Sequence, residues 1–177
     1  MQNAGAELIW IDMLHDPRLP AVDGLFIGGG FPESSMRALQ ANHAMRDSVR
    51  AAIEAGLPTY AECGGLMYLA RSLRWKDAYC EMAGVIPGDV VMHQRPQGRG
   101  YVRLQATAAQ PWHGEDDDGA EIAAHEFHYS ALENLDSPHA YAFDVLRGAG
   151  IERLAPLRAL APQVSPRTEQ AVRKALA

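Results

Sequence analysis

Between Leu57 and Leu69 the chain reads Leu-Pro-Thr-Tyr-Ala-Glu-Cys-Gly-Gly-Leu-Met-Tyr-Leu. A short apolar run ends at Glu62. A cysteine and two glycines follow, and apolar residues then recur at helical spacing. This order predicts a strand, a sharp turn and a helix, with Cys63 at the corner. Ala61, Cys63 and Gly65 give the small-x-nucleophile-x-small spacing that a nucleophile elbow needs, because the tight turn crowds its flanking residues. Gly64 and Gly65 leave the backbone free for unusual angles. The corner sets the sulfur at the start of the next helix, where unpaired N–H groups and the helix dipole favour thiolate over thiol. The plainer alternative is a cysteine buried as a small hydrophobe. The strand–Cys–Gly–Gly–helix context is what favours the nucleophile.

Upstream, Val22 to Ile27 reads as a strand that runs directly into Gly28-Gly29-Gly30-Phe31-Pro32-Glu33. Glycines at the carboxyl end of a strand sit where open α/β sheets bind ligands. Their N–H groups suit either a phosphate cradle or an oxyanion hole. A P-loop is excluded, since no Gly-Lys-Ser/Thr follows. Paired with an elbow on a later strand, the triplet is a candidate oxyanion hole.

The other elements follow from periodicity. Glu7 to Ile11 predicts a strand, with Gly5 before it as a helix C-terminal cap. Ser34 to Ala41 predicts one helix and Asn42 to Gly56 another. In the second, Met45, Val49, Ala52 and Ile53 form the apolar face, and Arg46, Asp47, Arg50 and Glu54 the solvated one. Leu66, Leu69, Ala70 and Leu73 mark the buried stripe of the helix after Cys63, with Met67 and Tyr68 at its edge. The alternation predicts an α/β fold with a mostly parallel, doubly wound sheet and helices on both faces. Past Trp75 the texture turns to short β segments. Tyr79 to Val91, Tyr101 to Gln105, Glu121 to Ser130 and Ala140 to Val145 read as strands; Arg95–Gly100 reads as a loop. The acidic Gly114–Gly119 stretch reads as a hairpin loop. His125 and His128 are three apart, so a strand sends them to opposite faces, which speaks against a shared metal.

A chain of 177 residues is enough for one domain with a real core. Its net charge of -6 argues against a nucleic-acid partner. Cys63 and Cys80 are too few for a disulfide framework, which makes a reducing cytoplasm the expected setting. There is neither an apolar run of membrane-spanning length nor a signal-peptide pattern.

Four segments then point to a family. Leu25–Glu33, Ala61–Tyr68, Pro96–Val102 and His125–Leu135 closely resemble the glutaminase domain of cobyrinic acid a,c-diamide synthases, a pattern that the hydrogenobyrinic acid enzymes share. The resemblance runs from about Ala4 to Ile151. It implies a class I glutamine amidotransferase-like fold in which Cys63 attacks the side-chain amide of glutamine. The backbone of Gly29 and Gly30 and the N–H of Gly64 would stabilise the tetrahedral oxyanion. The released ammonia would pass to an ATP-dependent synthetase domain, where corrin-ring acetates a and c become amides. No metal is implied for this domain.

Three departures accompany the resemblance. No Gly-x-x-x-x-Gly-Lys-Ser/Thr occurs, so ATP and Mg2+ are expected in a separate synthetase domain. The strand expected before the first helix is missing, which would expose sheet edges and leave the fold marginally stable unless another chain supplies it. The family's general-base histidine lies beyond the His125–Ser130 motif, and no histidine follows His139. Loss of that base is expected to slow thioester formation by orders of magnitude. Residues 1–151 are thus read as a glutaminase domain truncated at both ends, and 152–177 as a divergent tail. Pro156, Pro162 and Pro166 break up that tail, and Ser165 opens a short helix to Leu176. The alternative reading is a non-catalytic fragment of the same synthase.

Overall fold

The computed structural model describes residues 2–110, 119–136, 140–150 and 158–160. The chain opens with a single 3-10 turn at Gln2–Ala4, closed by Gly5 at φ 83° with its N–H donating to the Gln2 carbonyl. The first strand, β1, is Leu25–Ile27. A 3-10 turn at Pro32–Ser34 leads into α1 (Met36–Ala41) and α2 (His43–Glu54). The chain returns as β2 (Thr59–Ala61), which pairs parallel to β1 with Phe26 opposite Tyr60. After the corner come α3 (Gly64–Leu69), β3 (Ala70–Trp75), β4 (Ala78–Glu81) and β5 (Ile86–Met92). The remaining strands are β6 (Gly98–Ala106), β7 (Glu121–His128), β8 (Ser130–Glu133), β9 (Tyr141–Arg147) and β10 (Arg158–Leu160).

These strands form three sheets, β1-β2, β4-β3-β5-β8 and β10-β9-β6-β7. The α/β class stands, but the sheet is not mostly parallel. Among the described pairings β1–β2 and β3–β5 are parallel and the others antiparallel. Connection length accounts for the contrast between β1–β2 and β3–β4. The α1–α2 crossover gives β1 and β2 room to run the same way, whereas β3 and β4 are joined by Lys76 and Asp77 alone, with Lys76 at φ 56°. Two-residue loops make antiparallel hairpins.

Helix α2 begins where its cap predicts: the Asn42 side-chain oxygen accepts from the Met45 N–H at 3.3 Å. Its Met45 and Val49 are fully buried. The core continues through Leu73, Met82 and Val90. The expected solvated face of α2 needs correction. Asp47 and Glu54 are exposed, but Arg46 is 6% exposed and donates through a guanidinium nitrogen to the Met82 carbonyl at 2.9 Å. Arg50 Nε donates to the Ala83 carbonyl at 2.5 Å. Both arginines satisfy the carbonyls of the bend between β4 and β5, a partnership that helix periodicity cannot reveal.

The helix after Cys63 is also shorter than its apolar pattern predicts. Ala70 and Leu73 are buried, yet they belong to β3. Met67 and Tyr68 lie in the core rather than at an edge. Burial pushes the Tyr68 phenol up to about 12. Two ladders, to β4 and β5, outcompete helix continuation here.

Glu7–Ile11 forms no strand among the described residues. Trp10 is 89% exposed, and the chain instead folds into a turn at Asp12, whose carboxylate accepts from the Leu14 N–H. A strand takes its hydrogen bonds from a neighbour, and this stretch pairs with none of the described strands. Glu121–Ser130 divides at Tyr129 into β7 and β8, which serve different sheets. The loop expected at Gly114–Gly119 lies outside the described residues except for Gly119. The expected helix from Ser165 lies wholly outside them, whereas β10, within the expected tail, pairs its backbone with β9.

Asp89 clamps the β4-β3-β5-β8 sheet. Its two carboxylate oxygens each accept from Arg71 at 3.0 Å, and it also accepts from Ser72 at 2.6 Å and from Asn134 at 3.1 Å. The Arg71 hydrogen bonds, with those from Ser72 and Asn134, overcome desolvation and hold its carboxyl well below the usual carboxylate range. A depressed folded value means that the stabilisation is fully present above the ordinary value of 3.8 and drains away as pH falls below it. Asp89→Asn should therefore lower stability at pH 7 by about 2 kcal/mol. It should also flatten the acid limb of the stability profile, as read by urea melts from neutral pH downward.

Candidate active site

Cys63 sits between β2 and α3 at φ 49° and ψ −112°. A non-glycine residue there is strained, in the way expected of a nucleophile elbow. The corner is fixed on both sides. The Glu62 N–H donates to the Ile27 carbonyl at 3.1 Å, and the Gly65 N–H turns back to the Glu62 carbonyl at 2.8 Å. The Met67 N–H donates to the Cys63 carbonyl at 3.3 Å, so α3 begins at the cysteine itself. The thiol is exposed, whereas Cys80 is buried in the core.

The structure brings Gly29, Gly30, Cys63 and Gly64 together. A Cβ at Gly29 would lie 3.5 Å from Cys63 Cβ and 3.8 Å from its Sγ. At Gly64 it would lie 2.6 Å from the Gly30 carbonyl oxygen and 2.8 Å from the Gly30 nitrogen. At Gly65 it would collide with the Ile27 carbonyl at the end of β1. The triple-glycine bend thus rests directly on the elbow, and glycine is the residue that permits the approach. Among the described residues, the N–H groups of Gly29, Gly30 and Gly64 donate to no backbone carbonyl. An exposed thiol beside uncommitted amides of this kind can form a covalent bond to a carbonyl carbon and receive the resulting oxyanion.

Two neighbours escaped the sequence reading. The rings of Phe26 and Tyr60 stack at 5.4 Å with 9° between their planes, and the Tyr60 hydroxyl donates to Glu62 Oε2 at 3.2 Å. Desolvation first, and then the Glu62 carboxylate, raise the Tyr60 phenol above its usual range. The signal was present in strand alternation: Leu25 and Ile27 face the core, which turns Phe26 outward.

His125 and His128 do separate to opposite faces of β7. The exposed His125 ring meets Tyr101 edge-on at 5.8 Å. His128 lies inward, its Nδ1 2.7 Å from the Ser130 carbonyl and its Nε2 3.5 Å from Glu126 Oε2. Glu126 in turn accepts from the N–H groups of Ala149 and Gly150, at 2.6 and 3.0 Å. A third histidine, His93, pairs with Glu133 at 3.2 Å. Among the described residues no three His, Cys, Asp or Glu side chains converge as a metal site requires, and no helix is long and apolar enough to cross a membrane.

Comparison with known proteins adds the wider setting. The family profile described as the CobB/CobQ-like glutamine amidotransferase domain matches residues 1–154. The chain is 44% identical over 152 residues to a cobyrinate a,c-diamide synthase of Magnetococcus marinus, covering 86% of this chain and 32% of that protein. To the cobyrinate a,c-diamide synthase of Archaeoglobus fulgidus it is 41% identical over 147 residues, covering 83% of this chain and 31% of the relative. To that of Caldanaerobacter subterraneus subsp. tengcongensis it is 40% identical over 143 residues, covering 80% of this chain and 31% of the relative. The chain thus spans about a third of the length of the curated relatives it matches.

Proposed function

This chain belongs to the CobB/CobQ-like glutamine amidotransferase family, and on that premise we propose that it hydrolyses glutamine to supply ammonia for amidating acetates a and c of a corrin ring. The observation that carries this reading is the contact of the triple-glycine bend with a strained, exposed Cys63. Cys63 Sγ adds to the side-chain carbonyl carbon of glutamine. The N–H groups of Gly29, Gly30 and Gly64 are the donors available to the oxyanion that forms. Collapse of the tetrahedral adduct breaks the C–N bond, the nitrogen leaves as ammonia with the proton that the thiol gave up, and a glutamyl thioester remains. Water then cleaves the thioester, returning the thiol and releasing glutamate. In this reading residues 1–151 form the glutaminase unit and 152–177 a divergent tail. ATP and Mg2+ belong to a partner synthetase domain, because the glycine triplet lacks the Lys and Ser/Thr of a nucleotide cradle.

The second reading, a non-catalytic relative, draws on the histidines. His125 is held against Tyr101, and His128 is bonded to the Ser130 carbonyl. Two measurements separate the readings. A chloroketone analogue of glutamine should alkylate Cys63, seen as a single mass addition absent from Cys63→Ala. Glutamate release, with and without a synthetase partner, should depend on Cys63. Labelling without release leaves a binding pocket without turnover, and absence of both removes the glutaminase reading.

A further inference from the structure

Two of the segments that carry the family resemblance, Pro96–Val102 and His125–Leu135, lie outside the elbow and the glycine bend. They meet each other in the β6–β7 pair, with Gly98 opposite His128 and Gly100 opposite Glu126. Glu126 has an unusual set of partners. Its side chain is 13% exposed, and among the described residues it pairs with no lysine or arginine. Both of its oxygens are taken by backbone amides that follow one another. Oε1 accepts from the Ala149 N–H at 2.6 Å and Oε2 from the Gly150 N–H at 3.0 Å. Successive N–H groups that converge in this way make an anion nest. Here the anion belongs to the chain itself.

The surroundings are shaped for that carboxylate. Gly148 and Gly150 have φ of 130° and 73°, values that side chains rarely adopt. A Cβ at Gly148 would collide with Val102 Cγ1 and come within 3.1 Å of Glu126 Oε1. At Gly98 it would strike His128 Nε2 and lie 2.7 Å from Glu126 Oε2. His128, two residues along β7, shares the face of Glu126. Its Nδ1 donates to the Ser130 carbonyl. Its buried Nε2 forms no hydrogen bond among the described residues and lies 3.5 Å from Glu126 Oε2. A carboxylate so enclosed depends on the hydrogen bonds it accepts.

Topology gives the contact a consequence. β6 lies between β7 and β9 in the sheet, and the Gly148–Gly150 bend is where the chain leaves β9 on its way to β10. Glu126 therefore ties the strand on one side of β6 to the exit of the strand on the other. Among the described strands, β10 is held by β9 alone. We propose that Glu126 is a latch. Its carboxylate, seated on the amides of Ala149 and Gly150, fixes the bend that presents β10 to β9, so that bend and β10 stay on the sheet or leave it together. The latch involves no step at Cys63 and holds whether or not the chain hydrolyses glutamine.

Hydrogen exchange of the full chain, read amide by amide, tests this. In the unaltered protein the amides of Ala149, Gly150 and the paired residues of β10 should be protected. Glu126→Gln has one carbonyl oxygen where the carboxylate has two, so one of the two bend amides loses its acceptor. Protection of that amide and of β10 should fall together, by about 10-fold or more. Glu126→Asp keeps the charge, falls short by one methylene and should lose protection in the same places. Gly148→Ala leaves Glu126 intact but displaces the bend, with the same expected result. Glu121→Gln, on the same strand and paired with Arg103 at the surface, should change none of these amides.

Unprotected amides at Ala149 and Gly150 in the unaltered chain overturn the proposal. So does protection that survives both Glu126→Gln and Gly148→Ala. A loss that spares β10 overturns it as well, since Glu126 is then a local cap. Where Glu126→Asp does not fold, the nearly isosteric Glu126→Gln keeps the test. Equal loss at every amide of the chain in all three latch variants places Glu126 in the global core and overturns the latch.

Discussion

Replacing Cys63 with glycine is expected to abolish glutamine hydrolysis and to raise the melting temperature of the chain. The φ of 49° and ψ of −112° are close to those of the first central residue of a type II′ turn, where glycine is strongly preferred. A side chain held there costs on the order of 1–3 kcal/mol. Glycine removes that strain but gives back part of the gain through the larger entropy of its unfolded chain, roughly 0.5–1 kcal/mol. The net expectation is a gain of about 1 kcal/mol, a rise of a few degrees for a chain of this size. Activity falls by at least about 10³-fold, because no other group forms the thioester. Cys63→Ala separates the two effects. It keeps the strained angle, so its stability should stay within about 0.5 kcal/mol of the starting protein while its activity falls as far. Thermal melts of the three proteins check this. Equal stability of the alanine and glycine variants would show that the corner stores no strain.

The second large effect is expected at Gly64. A methyl there would lie 2.6, 2.8 and 2.9 Å from the carbonyl oxygen, nitrogen and carbonyl carbon of Gly30. All three are backbone atoms, so no flexible side chain can give way, and the triple-glycine bend must leave the elbow. Gly64→Ala should cost about 2–4 kcal/mol and slow chloroketone labelling of Cys63 by about 100-fold. The other glycines supply the contrast. At Gly30 a Cβ meets nothing within 4 Å, and at Gly29 its nearest contacts, at 3.5 and 3.8 Å, are both atoms of Cys63. Gly30→Ala should therefore be nearly silent in urea melts. Gly29→Ala should leave stability almost unchanged while crowding the approach to the sulfur. A stable, normally labelled Gly64→Ala protein would mean that bend and elbow do not depend on each other.

The geometry of the candidate site was legible because its instructions are local. Cys63, Gly64 and Gly65 specify a backbone corner through the angles that each residue tolerates, and the glycine triplet marks the end of β1 in the same way. That the two meet also followed, since a parallel β1–β2 pair carries both at the same edge of the sheet. The Asn42 cap and the buried Met45 and Val49 belong to this class, as they depend on neighbours one helical turn away.

Elsewhere the deciding partners lie far along the chain. Arg46 and Arg50 are at polar positions of an amphipathic helix, and they are drawn inward because Met82 and Ala83 present unpaired carbonyls. Ala70 and Leu73 fit the helical period, yet two neighbouring strands offer ladders that a lengthened α3 would forgo. Glu7–Ile11 has strand composition and pairs with none of the described strands. Sequence by itself therefore determined the corner, the bend and the thiol, whose geometry lives in single residues' φ and ψ. The tertiary structure alone decided which carbonyls, strand edges and aromatic faces find partners. Hydrogen bonding and burial are properties of pairs, and half of each pair is remote in sequence.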